Sequence, residues 1–220
     1  MFDAFSDRVF TFNGRTGNAT AIDAATDKVV GTVDIGGKPE FAVTDGKGTI
    51  FVNNEDTSEI VVFDAKSLEV KKRWSIAPGE GPSGLAIDLK NKRLFSVCDA
   101  VMVVSDYENG KVVTTVPIGG GPDAVRYDAG AGLVFASNGE GTLTVVKQDS
   151  ADKYTVLETV PTARGARTMV ARRSVQSARQ SAGLFQSDAS QVLPVGRLTE
   201  RAYVDRYLLS QAALCRERRG

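Results

Sequence analysis

The groups able to do chemistry in this chain are few, and the most informative count among them is zero. The 220 residues include no histidine, which removes an imidazole base, a His metal ligand and a haem-ligating His together. The thiols are Cys98 and Cys215. Neither has an imidazole to activate it as a nucleophile, and two cysteines are too few for a disulfide framework. The adjacent carboxylates Glu55 and Asp56 could hold Ca²⁺ through oxygen ligands. The DxDxDG spacing of a calcium loop is missing, so no metal is expected. Glycines at 36–37, 79–81 and 119–121 resemble phosphate-cradling loops, but they precede strands rather than opening helices, and no GxxxxGK[ST] is present. No nucleotide site and no cofactor is expected. The formal charge is zero, so nothing global suggests nucleic acid or an anionic membrane. No run of about eighteen apolar residues exists to span a bilayer.

The elements that position these residues emerge from an internal repeat. Four segments align: DRVFTFN (7–13), GTIFVNN (48–54), KRLFSVC (92–98) and GLVFASN (132–138). Their phenylalanines, Phe10, Phe51, Phe95 and Phe135, lie 41, 44 and 40 residues apart. A second set of runs ends at Asp23, Asp64, Asp106 and Asp149, spaced 41, 42 and 43. A third carries Pro39, Pro82 and Pro122 after a glycine-rich stretch. Each unit holds four short runs rich in Val, Ile, Leu, Phe and Thr, separated by Gly, Asn, Asp and Lys. Four strands per repeat of this length predict a β-propeller blade. The fold class is therefore all-β, a partial β-propeller of about four four-stranded antiparallel blades over residues 1–167. Asp23, Asp64 and Asp106 precede turns and read as turn-makers. Cys98 takes the place of Asn13, Asn53 and Asn138 in the other units and reads as a buried structural thiol. Trp74, on an outer strand, reads as packing between blades.

The order Gly-Gly-x-Pro, an inner strand ending in Asp, a (Val/Ile/Leu)-Phe strand ending near Asn, and a strand ending in Asp resembles the YVTN-type β-propeller repeat. Phe stands where that family usually has Tyr, and the resemblance covers about residues 2–168. It implies an exported setting (periplasmic, secreted or cell-surface), a complete ring of about seven blades, and no common chemistry. The N-terminus itself lacks a basic segment followed by an apolar one, so it is no signal peptide. Residues 2–38 read as three outer strands of a first blade, with the inner strand reduced to residues 1–3. Blades two to four cover about 39–78, 79–119 and 120–161. A fifth inner strand is expected over 164–170. Four blades leave blade faces open at both ends, and these are expected to be apolar and to drive self-association.

In such a blade the loops before the inner strand share a face with those joining strands two and three. That face would gather Arg15, Lys38 and Glu40, then Glu55, Asp56, Glu80 and Ser83. Asp99, Asp123, Glu140, Arg164 and Arg167 complete it. The prediction is a mainly acidic surface on which a protein or small-molecule ligand binds.

After residue 167 the composition changes. Residues 168–220 contain nine Arg, no Lys and four acids, a net charge of +5 that leaves −5 on residues 1–167. Three readings of this tail compete: a basic disordered arm, a C-terminal helix over 199–219 capped by Thr199, and a shifted reading frame or fusion at a gene break. The abrupt loss of both lysine and repeat favours the third. The functional expectation is a non-enzymatic binding or surface scaffold. The alternative is a lactonase-type hydrolase, because phosphogluconolactonase-like propellers share a similar blade rhythm.

Overall fold

The computed structural model describes residues 1–169, all of them in strands, turns and connecting segments. The first blade is β1 (Phe2–Asp3), β2 (Arg8–Asn13), β3 (Asn18–Asp23) and β4 (Val29–Asp34). The second is β5 (Pro39–Thr44), β6 (Thr49–Asn54), β7 (Glu59–Asp64) and β8 (Val70–Ser75). The third is β9 (Leu85–Asp88), β10 (Arg93–Cys98), β11 (Val101–Asp106) and β12 (Val112–Pro117). The fourth is β13 (Pro122–Asp128), β14 (Leu133–Asn138), β15 (Thr142–Gln148) and β16 (Tyr154–Pro161). Each sheet is ordered inner to outer in chain order and is antiparallel throughout, as a partial β-propeller of four blades requires.

The recurring aspartates set the hairpins. Asp64 Oδ1 accepts the amides of Lys66 and Ser67 at 2.9 and 2.7 Å, and Leu68, further into the turn, has φ 62°. Asp23 does the same with Ala25 and Thr26, ahead of Asp27 at φ 56°, and Asp106 with Glu108, ahead of Gly110 at φ 77°. A carboxylate that takes up amides the turn leaves unpaired substitutes for ladder bonds that end there.

Strand alternation gives each blade two faces, and the large apolar residues fill the gaps between blades. Phe10 of the first blade meets Phe63 of the second edge-on, with centroids 5.6 Å apart, among Ile50, Val52 and Val61. Between the second and third blades, Phe51 contacts Trp74 and Tyr107 over a layer of Ile60, Leu94 and Val103. Between the third and fourth, Phe95 meets Tyr127 and Tyr154 over Met102 and Val134. Burial of each such side chain is worth roughly 1.5–3 kcal/mol, so the interblade layers, not the sheets' edges, carry the apolar stabilisation. Trp74 accordingly packs between blades.

The structure corrects three expectations. The residue in register with Asn13, Cys98 and Asn138 is Asn54, not Asn53: it ends β6 opposite Pro39, as Asn138 ends β14 opposite Pro122. The outward face of the first blade is not a bare apolar sheet, because alternation places Thr11, Asn13, Asn18 and Thr20 there between Val9 and Ile22. The fifth inner strand forms no ladder over the described residues 164–169. A turn closed by the Ala166 amide on the Ala163 carbonyl at 2.9 Å comes first, and no described strand pairs with residues 167–169. The predicted helix over 199–219, and the tail beyond residue 169 with Cys215, lie outside the described residues.

Candidate functional site

Backbone bonds fix the loop face before any side chain does. Within the second, third and fourth blades, the turn between the second and third strands is tied to the loop entering the inner strand. The Glu55 amide donates to the Lys38 carbonyl at 2.9 Å, Asp99 to Glu80 at 3.3 Å, and Gly139 to Gly121 at 2.8 Å. Residues of two sequence-distant loops therefore sit side by side in each of these three blades.

In the second blade this brings Lys38, Glu40 and Glu55 together. Lys38 Nζ lies 2.9 Å from Glu40 Oε1 and is hydrogen-bonded to Glu55 Oε2. Each of the three side chains is roughly one-third to two-fifths exposed. The lysine's pKa is raised, first by its bond to Glu55 and then by that to Glu40. Glu55 is held below the usual carboxylate range, chiefly by the Lys38 hydrogen bond. Glu40 moves up, because burial and the neighbouring Glu55 outweigh what Lys38 returns. One cation shared between two carboxylates leaves a residual negative charge that a third group, a cation from outside, could take up.

Across the same face Arg167 Nη2 lies 3.3 Å from Asp123 Oδ1. Glu40, Ser83 and Asp123 occupy one repeat position, each following a proline, and Arg167 takes the same place after Ala166. Ser83 Oγ donates to the Pro122 carbonyl at 2.9 Å, so the third blade is tied to the fourth at this level. Arg167 also contributes to the lowering of the Glu55 carboxyl. The positions after the inner-strand prolines thus carry Glu40, Ser83 and Asp123, and Arg167 is the cation that meets the last of them.

A recess of about 420 Å³ opens next to this cluster, between the second and third blades. Its walls include Glu55, Asp56 and Glu80, with Ser58, Ser75 and the segment holding the cis Ala77-Pro78 bond. The remaining expected residues stand apart. Arg15 and Arg164 are exposed and make no ion pair among the described residues. Asp99 takes part through its backbone alone. Glu140 is turned into its own hairpin, with its pKa lowered by the Gly120 backbone and by Thr142, whose hydroxyl donates to it at 2.9 Å.

Sequence reasoning missed two polar clusters. Asn53, fully buried, donates to the Ser83 and Gly84 carbonyls at 3.1 and 2.9 Å, which the pairing of Asn with a β-rich run did not reveal. On the opposite side, Asp88 accepts from Asn91 and Gln148 at 2.7 and 2.9 Å, and Tyr127 donates to the same Gln148 at 2.6 Å. Burial alone would raise the Asp88 pKa, but these donors, with the Lys90 and Asn91 amides, reverse it to a net lowering. Cys98 is buried and its thiol is pushed up to about 12 by desolvation, so it supplies no nucleophile. Among the described residues no group of His, Cys, Asp and Glu is placed to hold a metal ion, and no helix is long and apolar enough to cross a membrane.

No protein-family model matches the chain, and no curated protein does. Solved structures do. A chain of the hydrazine synthase of Kuenenia stuttgartiensis superposes with a TM-score of 0.64 at 22% identity, over 73% of this chain and 47% of that one. A putative 6-phosphogluconolactonase from Bacteroides uniformis gives a TM-score of 0.65 at 12% identity, over 74% and 54%. A chain of a mitotic checkpoint complex gives 0.62 at 13%, over 71% and 49%. The chain spans about half the length of each of these structures. What they share with it at such identity is the propeller-type fold.

Proposed function

We propose that the protein is a non-enzymatic β-propeller scaffold whose loop face binds a partner carrying positive charge. Lys38 held between Glu40 and Glu55 is the observation that carries this reading. Of the seven acids of the face, Glu40, Glu55 and Asp123 meet the chain's own cations, Lys38 and Arg167. Seven of the face's ionisable residues are acids and four are bases, so a cationic protein segment or small molecule is the complementary ligand. The repeat order Gly-Gly-x-Pro supports placing the chain with the YVTN-type propellers, and with that placement goes a periplasmic, secreted or cell-surface setting.

The test uses an oligolysine peptide as probe, titrated calorimetrically at low salt and again at high salt. Binding that weakens with salt and is lost on joint Glu55→Gln and Asp56→Asn substitution is the expected result. No heat at low salt overturns the acidic-face reading. The lactonase reading is favoured by one structural neighbour and is separated by incubating the purified protein with 6-phosphogluconolactone. Hydrolysis at the uncatalysed rate is expected. Turnover that survives repurification and falls in the same double variant would replace the scaffold with a hydrolase.

A further inference from the structure

The second strands of the four blades open with Arg8, Thr49, Arg93 and Leu133, opposite Asp23, Asp64, Asp106 and Lys147 of the third strands. Both arginines cross the gap to the next blade and bond the turn that joins its third and fourth strands. Arg8 Nη1 donates to the Ala65 and Lys66 carbonyls at 2.7 and 2.9 Å. Arg93 donates from Nε to the Ala151 carbonyl at 3.3 Å and from Nη2 to Asp152 Oδ1 at 2.7 Å. Its Nη1 reaches back to Asp106 Oδ2 at 2.9 Å. A planar, forked cation is suited to bridging acceptors on two blades in this way.

Thr49 is too short to do the same between the second and third blades, yet the acceptors are in place. The Gly110 amide bonds the Asp106 carbonyl as the Leu68 amide bonds that of Asp64. The Tyr107 and Glu108 carbonyls therefore stand where those of Ala65 and Lys66 stand one blade earlier. Asp64 corresponds to Asp106, and each uses Oδ1 for the amides of its own turn. Asp106 gives its Oδ2 to Arg93, whereas Asp64 makes no ion pair among the described residues.

A recess of about 400 Å³ opens at this position, with Thr49, Asp64, Tyr107 and Glu108 in its walls. Two aromatic residues that depart from the repeat line it as well. Trp74 stands where the other blades carry Val33, Val116 and Val160, and Tyr107 where the second blade carries Ala65. Both contact Phe51, and a guanidinium stacks on such π faces. Lys71 is paired with Glu69 and Glu108 with Lys92, which leaves Asp45 and Asp64 against the single charge of Lys72. Lys72 shows that a cation is drawn here: its ammonium donates to the Glu108 carbonyl at 3.0 Å and lies 5.5 Å from the indole centroid.

We infer that the recess between the second and third blades binds an arginine side chain of a partner polypeptide, its guanidinium bridging Asp64 and the Tyr107 and Glu108 carbonyls. Phe51 and Val62 supply an apolar wall for the methylene stem, which a bare guanidinium ion would not use. The site lies at the opposite end of the strands from Lys38, Glu40 and Glu55, so it stands or falls apart from the loop-face reading.

Trp74 is the chain's one tryptophan, so its emission reads the recess directly. Titrating the full chain with Nα-acetyl-arginine methylamide should give a saturable change, about fivefold weaker with the lysine derivative, which cannot bridge the acceptors. Methylguanidinium, which lacks the stem, should also bind more weakly. Asp64→Asn keeps an acceptor for the turn amides and should weaken binding about tenfold. Lys72→Met should tighten it by removing the competing ammonium. Thr49→Arg supplies the side chain that the first and third blades carry, so it should abolish the response and raise the urea midpoint. Urea unfolding also shows whether each variant is folded. The inference is overturned by no saturable response in either the parent chain or Lys72→Met, by equal binding of the lysine derivative, or by a Thr49→Arg chain that binds like the parent. Methylguanidinium binding as tightly as the arginine derivative would overturn the assignment to a polypeptide side chain.

Discussion

Asn53 and Ser96 meet across the gap between the second and third blades, the Ser96 hydroxyl donating to Asn53 Oδ1 at 2.9 Å with both side chains fully buried. The Asn53 amide group meanwhile spans the Ser83 and Gly84 carbonyls. Four polar groups thus satisfy one another in an otherwise apolar layer. Asn53→Ala would leave the serine hydroxyl and the Ser83 carbonyl dry, while the Gly84 carbonyl keeps the Val97 amide, and would open a small cavity, a loss of about 3 kcal/mol. Ser96→Ala removes one donor, at about 1 kcal/mol. Urea unfolding of both single variants and the double variant checks this. The double variant should lose less than the sum, since the serine has no partner once Asn53 is gone.

Much of this arrangement was legible beforehand. The period of the phenylalanines, the aspartates before the outer turns and the inner-strand prolines fixed four blades and their strand order, because each reflects local geometry that repeats. Aligning the four segments on their phenylalanines already sets Asn54, not Asn53, opposite Asn13, Cys98 and Asn138; what the alignment does not show is that Asn53 bonds the next blade. The two asparagines point to opposite faces of β6, so one ends the strand opposite Pro39 while the other enters the gap between blades. The meeting of Glu40 and Glu55 through Lys38 depends on two loops brought together by the ladder, and the Asp88, Gln148 and Tyr127 cluster on a contact between blades. Neither leaves a local signature.

Asp88 makes the contact between the third and fourth blades sensitive to acid. Its carboxyl holds a proton less tightly when folded than its ordinary value of 3.8. Its contribution is therefore complete above that value and is lost as pH falls through the lower folded-state value. Asp88→Asn should be less stable at neutral pH. It should also lose less further stability than the parent chain between about pH 5 and pH 3. Thermal unfolding at several pH values reads both. Parallel pH dependence of parent and variant would remove Asp88 as the source.

Cys98 is predicted to be unreactive while the fold is intact. Its thiol, pushed up to about 12 and buried under the layer between blades, presents almost no thiolate at pH 8. Iodoacetamide followed by peptide mapping, which separates Cys98 from Cys215, should find Cys98 unmodified in buffer and fully modified in denaturant. Rapid native labelling of Cys98 would mean that this interface opens.

Removing the shared cation at the loop face should move protons more than it moves stability. In Lys38→Met, Glu40 and Glu55 face each other without a counter-charge, so one of them is expected to titrate at higher pH than in the parent chain. The effect on unfolding at neutral pH should stay within about 1 kcal/mol, because these side chains remain in contact with solvent. Carbon-detected NMR titration of the glutamate carboxyls measures the first and urea unfolding the second. Unchanged glutamate titration would show that Lys38 does not hold the pair in solution.

Trp74 is the chain's one tryptophan, which makes the second interblade layer readable by fluorescence. It stacks on Phe51 at 6.2 Å between centroids, and its outer flank lies against Gly110. Gly110 has φ +77°, and a Cβ there would fall 2.2 to 2.5 Å from the indole's Cγ, Cδ2 and Cδ1. Those are ring atoms near the attachment point, so no flexible tip can swing away. Gly110→Ala therefore combines about 1 kcal/mol of left-handed strain with roughly 1–3 kcal/mol of overpacking. The ring should be displaced from Phe51 and Tyr107, with red-shifted emission and a lower urea midpoint. Trp74→Phe in the same background relieves the clash because a smaller ring can withdraw from the turn, and it should recover part of the lost stability. A Gly110→Ala protein with parental emission and midpoint would mean that this turn and the indole do not touch.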